Sequence, residues 1–526
     1  MFSSKSIQGI VVLILGLFIS IWLGLSIVTN QTETILQIIA AAAFIVCIAL
    51  GRKIWLLIPF MAALNLSLRL PGQPTSLLLG QIIVFGFATL LFLMRKLPIR
   101  LQFTELEFWV IVITACVLQT YIRNPVGINL FGGDTVGGKG YVLYAIALVS
   151  SFLFSGLIVP SSELKWILRV SIVGGLLSTS ASILGSFFPS IGYMLGQSYT
   201  RSDEPNYENI GTVVDSGEAT RIGYLLSFGT NLALWISSYI SPIRALARPL
   251  WAILIIVAAV STMLAGFRNG IIIIGMTFML GVAYRTGARG FIASSFAAIF
   301  AVALLAAVNV ISPLPPNIQR TLTFLPGTWE ERYKKDAEGS SEWRFEIWRE
   351  VLFTNRWIQN KWLGDGLGYS AKELATQLNR RLGASSGVSG FDAQRESILA
   401  SGDYHSGPVS CVRVFGYVGL ILFSLAQIRL ATHAHRQICR CYGTEWLPLA
   451  LFIGIPAIYG PMVFVFLFGD FKLNAATFLL TTGMIRLLEN NLPLPAFGIR
   501  NRVPLTQPVG NHSLARAVRL ANGKPA

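Results

Sequence analysis

Residues 250–311 read "LWAILIIVAAVSTMLAGFRNGIIIIGMTFMLGVAYRTGARGFIASSFAAIFAVALLAAVNVI". Three apolar runs follow one another here. A tight turn holding Arg268 separates the first two, and a basic loop with Arg285 and Arg289 separates the last two. Each run approaches the ~20 residues that an α-helix needs to cross ~30 Å of hydrocarbon. In hydrocarbon every backbone N–H and C=O has to bond within its own segment, so such runs fold as helices. The pattern continues in both directions along the chain.

The 526 residues are 53% hydrophobic and 13% charged, with a mean hydropathy of +0.63. A soluble domain carries about 25% charged residues. The length criterion gives about fourteen spans, at 8–28, 35–50, 54–68, 77–94, 107–121, 141–158, 166–188, 221–240, 249–267, 269–285, 290–311, 408–428, 446–468 and 471–488. The third is short and contains Asn65. The first lacks a small-residue cleavage site and reads as a signal anchor. Cys47, Cys116, Cys411, Cys439 and Cys441 show no pairing pattern, so no disulfide framework is expected.

The net charge of +16 is explained by orientation in a membrane rather than by nucleic acid. Alternate loops carry Arg52/Lys53, Arg95/Lys96/Arg100, Lys165/Arg169, Arg244/Arg248, Arg285/Arg289 and Arg429/Arg436/Arg440. The other short loops are poor in basic residues. Basic loops stay in the cytoplasm, so both termini are expected there. The expected organisation is transmembrane helices 1–11 over 1–311, an external (periplasmic) loop over 312–407, helices 12–14 over 408–490, and a basic cytoplasmic tail over 491–526. The tail lies against anionic membrane lipid.

The external loop is too long to be a mere connector. Its stretch "SEWRFEIWREVLFTNRWIQN" sets Trp343, Ile347, Trp348, Val351 and Leu352 at helical spacing, the pattern of a helix lying on the bundle. "SAKELATQLNRRL" offers a second helix over 370–382. "LGDGLGYS" follows no strand and reads as a tight turn rather than a dinucleotide loop.

Arginines flanked by apolar runs usually face a cavity or a partner. Arg268 stands at the outer end of span nine, Arg221 opens span eight from the same side, and Arg344 lies in the helix of the external loop. Guanidinium groups grip phosphate oxygens bidentately, so three that converge suit a pyrophosphate. Snorkelling to headgroups is the plain alternative for Arg268, and an ordinary ion pair for each arginine alone. His405 is the one histidine expected outside, directly before span twelve. An imidazole can take a proton from a hydroxyl at neutral pH; a solvated loop histidine is the plain reading. "HAHRQICRC" holds His433, His435, Cys439 and Cys441 at no zinc-finger spacing, and a basic cytoplasmic loop is expected.

In order, the chain has many apolar spans, Arg268 after small residues, Arg344-x-x-x-Trp348, the Leu363-Gly364-x-Gly366-x-Gly368 turn, and His405 before Gly416-x-x-Gly419-Leu420. This layout resembles the bacterial O-antigen ligase/polymerase superfamily over roughly residues 221–420. The chain departs from the family pattern with Phe267 where Ser is frequent and with His405-Ser406 where His-Asn is common. The resemblance implies an all-α, GT-C-like membrane glycosyltransferase in the bacterial inner membrane. Its donor would be a glycan on undecaprenyl pyrophosphate, and its acceptor a hydroxyl of a glycan, lipid or protein. Arg268, assisted by Arg221 and Arg344, would hold the pyrophosphate, His405 would be the general base, and neither metal nor other cofactor would be required. The contrasting expectation is a lipid-linked glycan flippase or exporter, which would also want basic cavity residues.

Overall fold

The computed structural model describes residues 49–68, 74–126, 137–188, 199–201, 222–368, 399, 402, 404–467, 469 and 471–492. Span 8–28, nearly all of span 35–50, Arg221, the expected helix 370–382 and the tail beyond residue 492 lie outside them. Of the described residues 80% are helical, and the chain is an all-α membrane protein.

The elements are α1 (Leu57–Leu64, continuing a 3₁₀ helix Gly51–Leu56), β1 (Leu66–Leu68), α2 (Ser76–Leu93), α3 (Glu105–Arg123), α4 (Lys139–Gly156), α5 (Ser161–Phe187) and β2 (Tyr199–Arg201). There follow α6 (Gly223–Tyr239), α7 (Pro242–Leu246), α8 (Pro249–Leu264), α9 (Arg268–Ile311), α10 (Pro316–Leu322) and α11 (Glu331–Phe353). The chain closes with α12 (Gly407–Cys441), α13 (Leu447–Met462) and α14 (Phe471–Asn491). Among the described residues seven helices are long and apolar enough to cross a membrane: α2, α3, α4, α5, α9, α12 and the stretch Leu447–Leu467 that begins with α13.

Two features of the spans have local causes. The expected span 54–68 is helical only as far as Leu64. Asn65 takes the left-handed conformation (φ 48°, ψ 51°), which asparagine tolerates, and ends the helix. The next residues pair antiparallel with β2, Leu66 opposite Arg201. Spans 269–285 and 290–311 are two helices that meet at a kink at Gly287 (φ 73°, ψ −164°) and are numbered together as α9.

Helices meet through small residues, the usual device where lipid is as apolar as leucine. A Cβ on Gly229 of α6 would strike Thr262 and Ala258 of α8, one on Gly174 of α5 would strike Phe60 of α1, and one on Gly483 of α14 would strike Ser151 of α4.

Several basic loops meet one another at one end of the bundle. At the basic end Lys165 pairs with Glu445 at 2.9 Å, and Arg100 N–H donates to Gly156 O. Arg285 donates to the carbonyls of Ser237 and Ser238 at the end of α6. Near this end a buried ionic network joins three helices: Arg486 of α14 to Glu107 of α3 at 2.7 Å, Arg486 to Glu489, and His433 of α12 to Glu489 and Glu105. At the other end lie β1 with β2, α10, α11 and the glycine turn. His435 hydrogen-bonds Tyr284 at 2.6 Å, so His433 and His435 serve different neighbours.

Candidate functional site

The site begins at the turn between α8 and α9. Gly266 adopts φ 75°, a conformation glycine enters at no steric cost. The reversal sets Arg268 as the first residue of α9. α10 caps this turn with three side-chain bonds. Asn317 Nδ2 donates to Leu264 O at 2.9 Å, Thr321 Oγ1 to Met263 O at 3.1 Å, and Arg320 Nη1 to Gly266 O at 3.1 Å. Arg320 is thereby buried (6% exposed) beside Arg268's own turn.

Arg344 comes from α11. It lies within electrostatic reach of both Arg268 and Arg320, and its pKa is lowered, first by burial and then by these two guanidinium groups. Among the described residues no carboxylate offsets that repulsion at Arg344, and its Nε is buried without a hydrogen-bond partner. Arg268 and Arg344, both named from the sequence, thus lie within electrostatic reach of one another, and Arg320 lies within reach of Arg344. Arg221 lies outside the described residues; the N–H of its neighbour Ile222 donates to Ala265 O at 3.0 Å, on the same turn.

A pocket of about 300 Å³ opens beside Arg268, lined also by Thr323, Phe324, Lys334, Glu338, Ser341, Glu342 and Phe345. The 3.6-residue period puts Glu338, Ser341, Glu342 and Phe345 on one face of α11, and Trp343, Ile347 and Val351 on the opposite one. The second face forms a small core with Trp357, Ile358, Leu399, Tyr404, Val409 and Val412. The predicted amphipathic helix is thus present. It starts earlier, at Glu331, and it packs on the first turns of α12.

His405 sits at this contact. Tyr404 is buried and accepts a bond from Trp348 Nε1 at 2.8 Å. His405 has a left-handed φ of 50°, sparsely populated by residues other than glycine. Its ring centroid lies 6.2 Å from that of Trp343. Trp343 is next to Arg344 in sequence, so α11 carries both the arginine cluster's third member and the packing surface of the histidine.

The Leu363–Gly368 segment is the tight turn the sequence predicts, and it is wedged into a break in α12. Gly416 interrupts that helix (φ 72°, ψ −174°). Asp365 N–H donates to Arg413 O, Gly366 N–H to Val414 O, and Tyr417 N–H to Lys361 O. The orphaned groups of the broken helix are satisfied by the turn. A Cβ at Gly364 would meet Val414 and Phe415, and one at Gly416 would meet Trp362. Arg123 fixes the far side, donating to Leu363 O at 2.9 Å and to Gly364 O at 2.5 Å.

Arg413, in the half-helix before the break, is buried (2% exposed) and donates from Nη1 to Gly366 O at 3.2 Å. Its guanidinium lies against Gly402, three residues before His405. It ties the turn, the half-helix and the approach to His405 together. Sequence reading passed over Arg413 and Arg320. Arg413 falls inside the predicted span 408–428, and the rule that singles out Arg268 applies to it equally. Arg320 gave a weaker signal, one base in the Pro-led segment "PPNIQRTL".

An all-α, multi-pass membrane protein with an arginine cluster at one end is the class that fold and site define. No family model matches the chain, and no characterised protein was found similar to it.

Proposed function

We propose that the protein is a membrane glycosyltransferase of the O-antigen ligase/polymerase type. It moves a glycan from undecaprenyl pyrophosphate to an acceptor hydroxyl at the outer face of the bacterial inner membrane, with both termini in the cytoplasm. The observation that carries this reading is the arginine cluster. Arg344 is held near Arg268 and Arg320, with its Nε buried and unbonded. Like charges brought together without an acid at Arg344 destabilise the empty protein and are relieved by a polyanion. Arg268 also opens α9, and a helix N-terminus adds its own attraction for an anion.

In this scheme Arg268, Arg320 and Arg344, with Arg221 assisting, hold the pyrophosphate and stabilise the charge that develops on it as the anomeric C–O bond breaks. His405 accepts the proton of the acceptor hydroxyl, which attacks the anomeric carbon. Arg413 and the glycine turn hold the backbone that carries His405. The pyrophosphate is already an activated leaving group, and the arginines take the place of a divalent cation. The order of motifs along residues 221–420 supports the same reaction class. A flippase would use the arginines but has no need of a histidine packed on the helix that carries Arg344.

The test is transfer by the purified protein from a polyprenyl-pyrophosphate oligosaccharide in the presence of chelator. Arg268→Ala is expected to abolish it and Arg268→Lys to restore little, because lysine keeps the charge and loses the fork. Full activity of Arg268→Ala would remove this residue from the site. Glycan profiles of a deletion strain separate polymerase (chains shortened) from ligase (chains unattached).

A further inference from the structure

The pocket beside Arg268 has a chemistry that the pyrophosphate clamp does not use. Phe324 and Phe345 stand at it largely exposed, at 45% and 63%. Thr323 and Ser341 bring hydroxyls, and Glu338 and Glu342 bring carboxylates. Exposed rings, hydroxyls and carboxylates in one concavity match a pyranose: its C–H face lies on an aromatic ring, and its hydroxyls donate to carboxylate oxygens. About 300 Å³ is the lower end of the ~300–1,000 Å³ range of small-molecule sites.

We propose that this pocket is the subsite for the sugar joined to the donor's pyrophosphate, and that it takes a neutral pyranose in preference to a uronic acid. The proposal rests on the donor clamp described above. Arg268 forms the wall shared with the arginine cluster, so a ligand whose phosphates engage Arg268 presents its first sugar here. With Arg268 so engaged, Lys334 faces Glu338 at 4.0 Å. Glu342 makes no ion pair or hydrogen bond among the described residues. The charge left at the pocket is therefore negative. A carboxylate accepts from sugar hydroxyls and repels a second carboxylate.

The experiment uses the full-length protein in detergent and isothermal titration with three probes of equal phosphate charge: farnesyl pyrophosphate capped as its terminal methyl ester (farnesyl pyrophosphate below), its glucosyl ester and its glucuronosyl ester. The glucosyl ester is expected to bind about tenfold tighter than farnesyl pyrophosphate, the increment of roughly one well-made hydrogen-bond pair. The glucuronosyl ester should gain nothing. Glu342→Ala and Phe345→Ala, both at exposed positions, should erase the glucosyl increment while farnesyl pyrophosphate binds as before. Glu342→Lys should turn the preference toward the glucuronosyl ester. Farnesyl pyrophosphate binding with no glucosyl increment, or a glucuronosyl ester that binds tightest to the unaltered protein, would overturn the subsite and leave the clamp standing. Absence of farnesyl pyrophosphate binding, or binding unchanged in Arg268→Ala, would overturn the clamp and this subsite with it.

Discussion

Arg344 shows the site's cost most directly. Its guanidinium is pressed into a partly buried place beside two others, and burial together with repulsion lowers its pKa. A basic group whose pKa is lowered by folding opposes folding while it is charged, and the penalty fades only as pH rises through that lowered pKa toward the ordinary value. At neutral pH the ligand-free protein therefore bears the penalty in full. Arg344→Leu is expected to stabilise the ligand-free protein by about 1 kcal/mol, as dismantling a functional cluster often does, while donor binding collapses. A melting curve with and without farnesyl pyrophosphate checks both halves; a destabilised variant that still binds would contradict it. His405→Ala should act differently, lowering turnover roughly a hundredfold, the range of lost general-base catalysis, with donor affinity kept. Arg413→Lys should lower turnover and leave donor affinity unchanged, because Arg413 touches the backbone of Gly402 and Gly366 and not the arginine cluster. An equal loss of donor affinity would move Arg413 from positioning to binding.

The break in α12 and the glycine turn form one device. A helix interrupted inside a membrane leaves backbone groups that water cannot reach, and they have to be satisfied by protein. The turn 360–368 does this through Asp365, Gly366 and Lys361. Its own shape needs φ of 75° at Gly364 and 99° at Gly366. Gly416→Ala places a side chain in a left-handed conformation and against Trp362, and should cost about 2 kcal/mol or more. Gly275→Ala is the matched control: it lies within α9 with nothing near its absent Cβ and should be neutral or stabilising by about 0.5 kcal/mol. Thermal inactivation in detergent measures both, and equal melting of the two variants would sink the wedge. The sequence marked this element through its glycines but read only a turn. The partner of the turn sits fifty residues later, and no local pattern pairs Gly364 with Phe415.

Across the whole molecule, the spans were legible because hydropathy reports on one physical constraint, the thickness of hydrocarbon. The boundaries near 77, 107, 141, 166, 269, 408, 446 and 471 fall within a few residues of observed helices. The expected span 54–68 overran its helix by four residues, because a single left-handed residue, Asn65, outweighed an apolar composition. Charges that meet across the bundle were invisible too. Arg486 and Glu107 are 379 residues apart, and each alone reads as a headgroup contact. Their pair closes α3 against α14, so Arg486→Ala, which strands Glu107 and Glu489, should cost about 3–5 kcal/mol and shorten the lifetime of the protein in detergent. A lifetime equal to that of the unaltered protein would show the pair to be solvated. Orientation follows the basic loops: a cysteine replacing Lys335 should react with a membrane-impermeant maleimide in intact spheroplasts, and labelling only after lysis would invert the molecule and put the site in the cytoplasm. The most direct test of the account is transfer from a polyprenyl-pyrophosphate oligosaccharide by purified protein in chelator, compared across Arg268→Ala, Arg320→Ala, Arg344→Ala and His405→Ala. The account predicts transfer without added metal, donor binding lost in the three arginine variants, and donor binding kept but turnover lost in the histidine variant. Transfer that requires a divalent cation, or that survives in the arginine variants, would contradict it.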